Sequence, residues 1–83
     1  MDKIIIRLIV PTISREFDMY IPVSITISEL TNLMIKAVED ITNKRYVSSG
    51  NEILCLKEKN TMLIQEAMVQ SYGIQNGDHI VMI

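Results

Sequence analysis

One segment limits the folds open to this chain more than any other. Thr26-Ile27-Ser28-Glu29 has the pattern of a capping box, in which the Thr26 hydroxyl accepts from the Glu29 amide and the Glu29 carboxylate reaches back to the Thr26 amide. Ile27, Leu30, Leu33, Met34, Ala37, Val38 and Ile41 then follow at helical spacing, with Ser28, Asn32, Lys36, Glu39 and Asn43 opposite. The spacing predicts a helix from Ile27 to Asn43, with Ile35 off its apolar stripe and exposed. Every other apolar stretch reads as a strand or a single turn. One helix with one apolar stripe must lie on one face of a sheet.

The strands are marked by alternation and punctuated by proline. Residues 3–10 form the first. If Arg7 faces solvent, Lys3, Ile5 and Ile9 share its face, while Ile4, Ile6, Leu8 and Val10 face the core. Pro11 has no amide hydrogen and ends the pairing. Residues 15–21 alternate Phe17, Met19 and Ile21 against Glu16, Asp18 and Tyr20, so a turn over Thr12–Ser14 closes a hairpin. Residues 53–57 are expected as a third strand, 62–64 as a short fourth and 78–83 as the last, with a turn or two of helix within 66–72. In the last strand Ile80 and Met82 share one face, Val81 and Ile83 the other. The order is ββαββ(short helix)β, an α+β domain over residues 1–83.

Composition narrows the chemistry. The 83 residues carry a net charge of −2, which lacks the basic footprint of a nucleic-acid binder. One Cys and one His leave almost no material for a metal centre and none for an internal disulfide. The longest early apolar stretch, Ile4 to Val10, is broken by Arg7 and falls far short of the roughly 20 residues of a membrane span. No secretory signal is visible, so the chain is expected to start at Met1, soluble and cytoplasmic, without direct membrane insertion.

Catalysis finds little support. His79 is adjacent to Asp78, but successive strand residues point to opposite faces. Cys55 is a lone thiol in the third strand, with no evident activating group beyond Lys57. Gly73 and Gly77 do not have phosphate-loop spacing and suit turns instead. No cofactor is expected. The alternation leaves Ile5, Ile9, Ile53, Cys55, Val81 and Ile83 on the sheet face away from the helix, an apolar surface that suits a protein partner or a second copy of the chain. Glu16, Asp18, Glu29, Glu39 and Asp40 read as solvated charges.

Two stretches carry a family likeness. Phe17-Asp18-Met19-Tyr20-Ile21-Pro22-Val23 leads directly into the helix. Ser71-Tyr72-Gly73-Ile74-Gln75-Asn76-Gly77-Asp78-His79-Ile80 leads into the last strand, with Ile74 filling the core, Asn76-Gly77 making a turn and Asp78 bonding nearby amides. The chain resembles ubiquitin-like β-grasp proteins, and in particular the YukD/EsaB-type proteins that accompany type VII (ESX-like) secretion systems of Gram-positive bacteria. The resemblance implies a non-catalytic module, accessory to or regulating the secretion machinery, that binds through the open sheet face as ubiquitin does. Conjugated ubiquitins and sulfur carriers end in a mobile Gly-Gly tail. Here the sequence closes on Ile80-Val81-Met82-Ile83, so activation at that end is not expected. An adaptor in an unrelated complex is the alternative reading, with a carboxyl-activated carrier behind it.

Overall fold

The computed structural model describes residues 3–83. β1 (Lys3–Val10) and β2 (Arg15–Pro22) form an antiparallel hairpin across a single 3-10 turn at Pro11–Ile13. Ser14 closes that turn at φ 53°. α1 (Ile27–Ile41) follows. β3 (Leu54–Leu56), β4 (Thr61–Met62) and β5 (His79–Met82) complete the sheet in the order β2-β1-β5-β3-β4. β5 pairs parallel to β1 and antiparallel to β3. The helix covers one face, which gives the expected α+β β-grasp arrangement.

The core follows the strand phases. Ile6, Leu8, Val10, Ile21, Leu54, Leu56, Ile80 and Met82 are buried against Ile27, Leu30, Met34 and Val38 of the helix. The capping box is complete: the Glu29 amide donates to Thr26 Oγ1 (3.1 Å) and the Thr26 amide to Glu29 Oε1 (2.9 Å). Ile74 is buried, as expected. The turn after it is built from side chains as well as backbone. Gln75 N donates to Asp78 Oδ2 (2.9 Å), and Ile5 N donates to Asn76 Oδ1 (2.9 Å). Gly77 takes φ +89° there, where a side chain would be strained.

The helix departs from its expected form in two ways. It ends at Ile41 rather than Asn43, because Thr42 leaves the helical conformation (φ −90°, ψ 7°) and Asn43 and Lys44 adopt positive φ. Its buried stripe is also rotated from the expected one. Leu33 and Ile41 are 46% and 54% exposed, Thr31 is buried, and Ile35 packs against the core instead of facing solvent. The Thr31 hydroxyl tolerates burial by donating to Ile27 O (2.8 Å).

The second half of the chain is irregular and tied by side chains. β3 is shorter than expected, and Lys57 begins a 3-10 turn over Lys57–Lys59. β4 is shifted one residue earlier, so Leu63 is buried just beyond it. The short helix is a 3-10 turn at Val69–Tyr72. Between α1 and β3, Tyr46 and Glu52 are both buried. The Tyr46 hydroxyl donates to Glu52 Oε2 (2.7 Å), which also accepts from Ser49 N (3.0 Å). Burial, and then the Glu52 bond, push the Tyr46 pKa up to about 12. Burial alone would raise Glu52, but hydrogen bonds from Tyr46, Ser48 and Ser49 outweigh it and hold the carboxyl below its ordinary range.

Candidate interaction face

Strand register arranges the open face into rows. β1 and β5 align Ile9 with Val81, β5 and β3 align Val81 with Cys55, and β3 and β4 align Cys55 with Met62. These four side chains form one apolar row across four strands. A second row runs beside it. Ile53 and Ile83 exchange backbone hydrogen bonds, each amide donating to the other's carbonyl at 2.9 Å. The Leu63 amide donates to Leu54 O (2.8 Å), which continues the β3–β4 register so that Ile64 lies level with Ile53. Ile53, Ile64, Met62 and Ile83 are 41%, 59%, 59% and 62% exposed, and Ile9, Cys55 and Val81 are half-buried. A soluble surface seldom keeps this many large apolar side chains side by side without covering them.

A charged row bounds the patch on its other side. Arg7 aligns with Asp18 on β2 and with His79 on β5. Its guanidinium meets Asp18 Oδ1 (3.1 Å) and Glu16 Oε1 (3.5 Å). The Glu58 carboxylate accepts from the His79 backbone amide (2.8 Å) and holds His79 Nδ1 with its other oxygen. The first of these bonds does most to lower the Glu58 pKa. Ile5 lies beyond this row, opposite Tyr20, so it shares the face but not the patch.

Six side chains were singled out from the sequence. Ile9, Ile53, Cys55, Val81 and Ile83 are brought together, and Ile5 is set apart by Arg7. Met62 and Ile64 extend the patch beyond that set. Their signal was the alternation Met62-Leu63-Ile64, but its phase depends on the β3–β4 register, which a strand of two residues does not announce. Glu58 is the other unanticipated partner, brought to His79 by the 3-10 turn after β3.

The His79–Glu58 pair resembles part of a general-base assembly. A general base acts on a proton within hydrogen-bond reach, borne by a substrate, a water or a side-chain nucleophile. Cys55 stands opposite Val81, not His79. Among the described residues no three His, Cys, Asp or Glu side chains gather as a metal site, and no helix is long and apolar enough to cross a membrane.

No protein-family model matches the chain, and no curated protein matches its sequence. Solved structures do. The EccD5 ubiquitin-like domain of Mycobacterium xenopi is similar over 100% of this chain and 94% of that one, at 12% identity and a TM-score of 0.79. The ubiquitin-like domain of the Mycobacterium tuberculosis type VII secretion system protein EccD1 is similar over 100% and 99%, at 10% identity and 0.75. A ubiquitin-like domain from Arabidopsis thaliana is similar over 100% and 78%, at 20% identity and 0.75. These likenesses show the fold: it is ubiquitin-like.

Proposed function

We propose that this chain is a non-catalytic interaction module that serves a type VII secretion system, in the manner of the YukD/EsaB-type proteins, and that it engages the secretion machinery through the apolar patch on its open sheet face. One observation carries the reading. The register of β1, β5, β3 and β4 places Ile9, Val81, Cys55 and Met62 in one line, with Ile83, Ile53 and Ile64 beside it. Burying such a patch removes apolar area from water at about 25 cal/mol per Å², which offsets the cost of association. The likeness to two EccD ubiquitin-like domains supports the secretion setting. Ile83 is bonded to Ile53 in both directions, which holds its side chain in the sheet beside the rest of the patch.

The test places a photo-crosslinking amino acid at Met62 in cells that carry a type VII secretion locus. The expected result is an adduct with a component of the secretion machinery. An Ile53→Glu, Val81→Lys variant should fold and lose the adduct, and Ile5→Glu, beyond Arg7, should keep it. An adduct with a second copy alone would replace this reading with a homodimer. Adducts with unrelated proteins only would favour the adaptor reading.

A further inference from the structure

A polar hollow of about 590 Å³ lies between the first half of α1 and the loop that leads into β3. Ser28, Asn32 and Ile35 form its helix wall, and Ser48, Asn51 and Glu52 its loop wall. Gln65 closes it beyond β4. Both walls are pinned. Ser28 N donates to Gln65 O (3.0 Å), and Ile27 N to Ala67 O (2.8 Å). In the loop, Gly50 N donates to Ser48 Oγ (3.1 Å) and Asn51 N to Ser49 Oγ (3.1 Å), while Gly50 holds φ +82°. Walls fixed in advance leave little to be ordered when a ligand enters.

The charge in this hollow has one sign. Among the described residues that line it, Glu52 alone is charged. It is buried, and the neutral donors Tyr46, Ser48 and Ser49 keep it ionised. Among the described residues no Lys, Arg or His pairs with it. Neutral donors spread the charge but do not cancel it, and a recessed charge without a counter-ion is costly. Glu39 stands one turn beyond Ile35 on the same line of α1, and its charge reaches the Tyr46 hydroxyl. The positive end of the helix is already met by Glu29, whose carboxylate accepts from the Thr26 amide. An acidic ligand is therefore disfavoured and a cationic one favoured. Neutral acceptors surround the carboxylate: the side-chain carbonyls of Asn32 and Asn51, the Ser28 hydroxyl, and Gln65. The Gln65 amide nitrogen donates to Thr31 Oγ1 (3.4 Å), which leaves its carbonyl oxygen as an acceptor. Acceptors spread over several positions suit a guanidinium, whose planar fork carries five N–H donors and is less strongly hydrated than an ammonium.

We propose that the hollow is a guanidinium site, which receives an arginine side chain of the protein that covers the sheet-face patch. Ile53 is the link. It lines the hollow and is also an exposed member of the patch. A partner segment lying over Ile53 keeps its apolar residues on the patch and sends one long side chain past the end of β3 to Glu52. The choice of occupant rests on the reading of the patch given above, whereas the guanidinium site rests on the hollow itself. The patch supplies apolar burial, and the arginine adds selectivity, because a partner without it leaves the Glu52 charge uncompensated.

Amide chemical-shift mapping of the whole chain with N-acetylarginine amide tests the site. The expected result is a saturable set of shifts confined to 28–35, 48–53 and 65. N-acetyllysine amide should bind more weakly, and N-acetylcitrulline amide, the neutral isostere, should leave the spectrum unchanged. Glu52→Gln should abolish the shifts. Because that change also touches the Tyr46 bond, Asn32→Lys is the second variant. Its position is exposed, so the spectrum should stay dispersed while the new cation takes the place of the ligand and the shifts disappear. Asn32→Lys should also lower the yield of the Met62 adduct by about tenfold. An undiminished adduct from this variant would overturn the arginine of the partner as the occupant and assign the site to a free guanidinium compound. If the unaltered chain gives no adduct at Met62 but N-acetylarginine amide still shifts the hollow, the reading of the patch fails and the guanidinium site is upheld. The site itself is overturned if no shifts appear, if N-acetylcitrulline amide produces the same ones, or if they survive Asn32→Lys.

Discussion

The two halves of the chain supply one shared core but differ in how their backbone is fixed. Residues 3–41 form two eight-residue strands and one helix of 15 residues, and their apolar side chains meet in a continuous core. Residues 42–83 contribute strands of two to four residues joined by turns. Here the backbone is positioned by polar side chains that reach across loops. Tyr46 is tied to Glu52, Lys59 Nζ donates to Tyr72 O (2.8 Å), and Ile64 N donates to the Tyr72 hydroxyl oxygen (2.8 Å). A regular element is fixed by its period, so any one contact in it has many neighbours doing the same work. A loop fixed by tethers depends on single groups.

That contrast can be broken by substitution. The largest effect is expected in the first half: Leu8→Ala removes a fully buried side chain and should cost about 2–5 kcal/mol in denaturant unfolding, without changing the secondary structure. Tyr46→Phe comes next, at about 1–3 kcal/mol, because it strips a hydrogen bond from the buried Glu52 carboxylate while leaving the ring in place. A loss close to zero would show that packing, not tethering, holds this loop.

The same pair gives a pH signature with two signs. Glu52 titrates below its ordinary 4.5 when folded, so its contribution is present above that pH and fades as the pH falls through the folded value. Tyr46 moves the other way, from 10.0 to about 12. Its contribution is complete below pH 10 and is lost as pH rises toward about 12. The tyrosinate absorbance of the folded protein should include a component that appears only toward about pH 12, and Tyr46→Phe should remove it.

The smaller effects sharpen the contrast. Thr26→Ala should cost about 1 kcal/mol, because the Glu29 amide loses the hydroxyl that accepts it while the bond from the residue 26 amide to Glu29 remains available. Lys59→Met should cost about 0.5 kcal/mol, since its bond to Tyr72 O is exposed and water can replace it. Hydrogen exchange should then quicken around Tyr72 and not in β1.

The same division explains what could be read in advance. The hairpin, the cap and the phases of β1, β2 and β5 follow from alternation and from Pro11, so the fold and most of the patch were visible. Leu33 and Ile41 misled because helical periodicity shows which side chains share a line but not where the sheet beneath them ends. Ile35 misled for the same reason in the other direction. Tyr46 with Glu52, and His79 with Glu58, have no period at all. Each pair is joined by a loop path that only the packed chain defines, and the same is true of Met62 and Ile64 at the end of the patch.

The central position of β5 has a consequence for how the molecule comes into being. It lies between β1 and β3, yet it is the last of the strands to leave the ribosome. Without β5 the sheet has no pairing between β1 and β3, so the inner edges of both strands lack a partner. Insertion of His79–Met82 joins the two in a single step, through a pairing of β1 with β5 that spans most of the chain. The β1–β5 pairing is therefore non-local, and such pairings form more slowly than local ones. A nascent chain short of residue 79 exposes the very edges that chaperones shield.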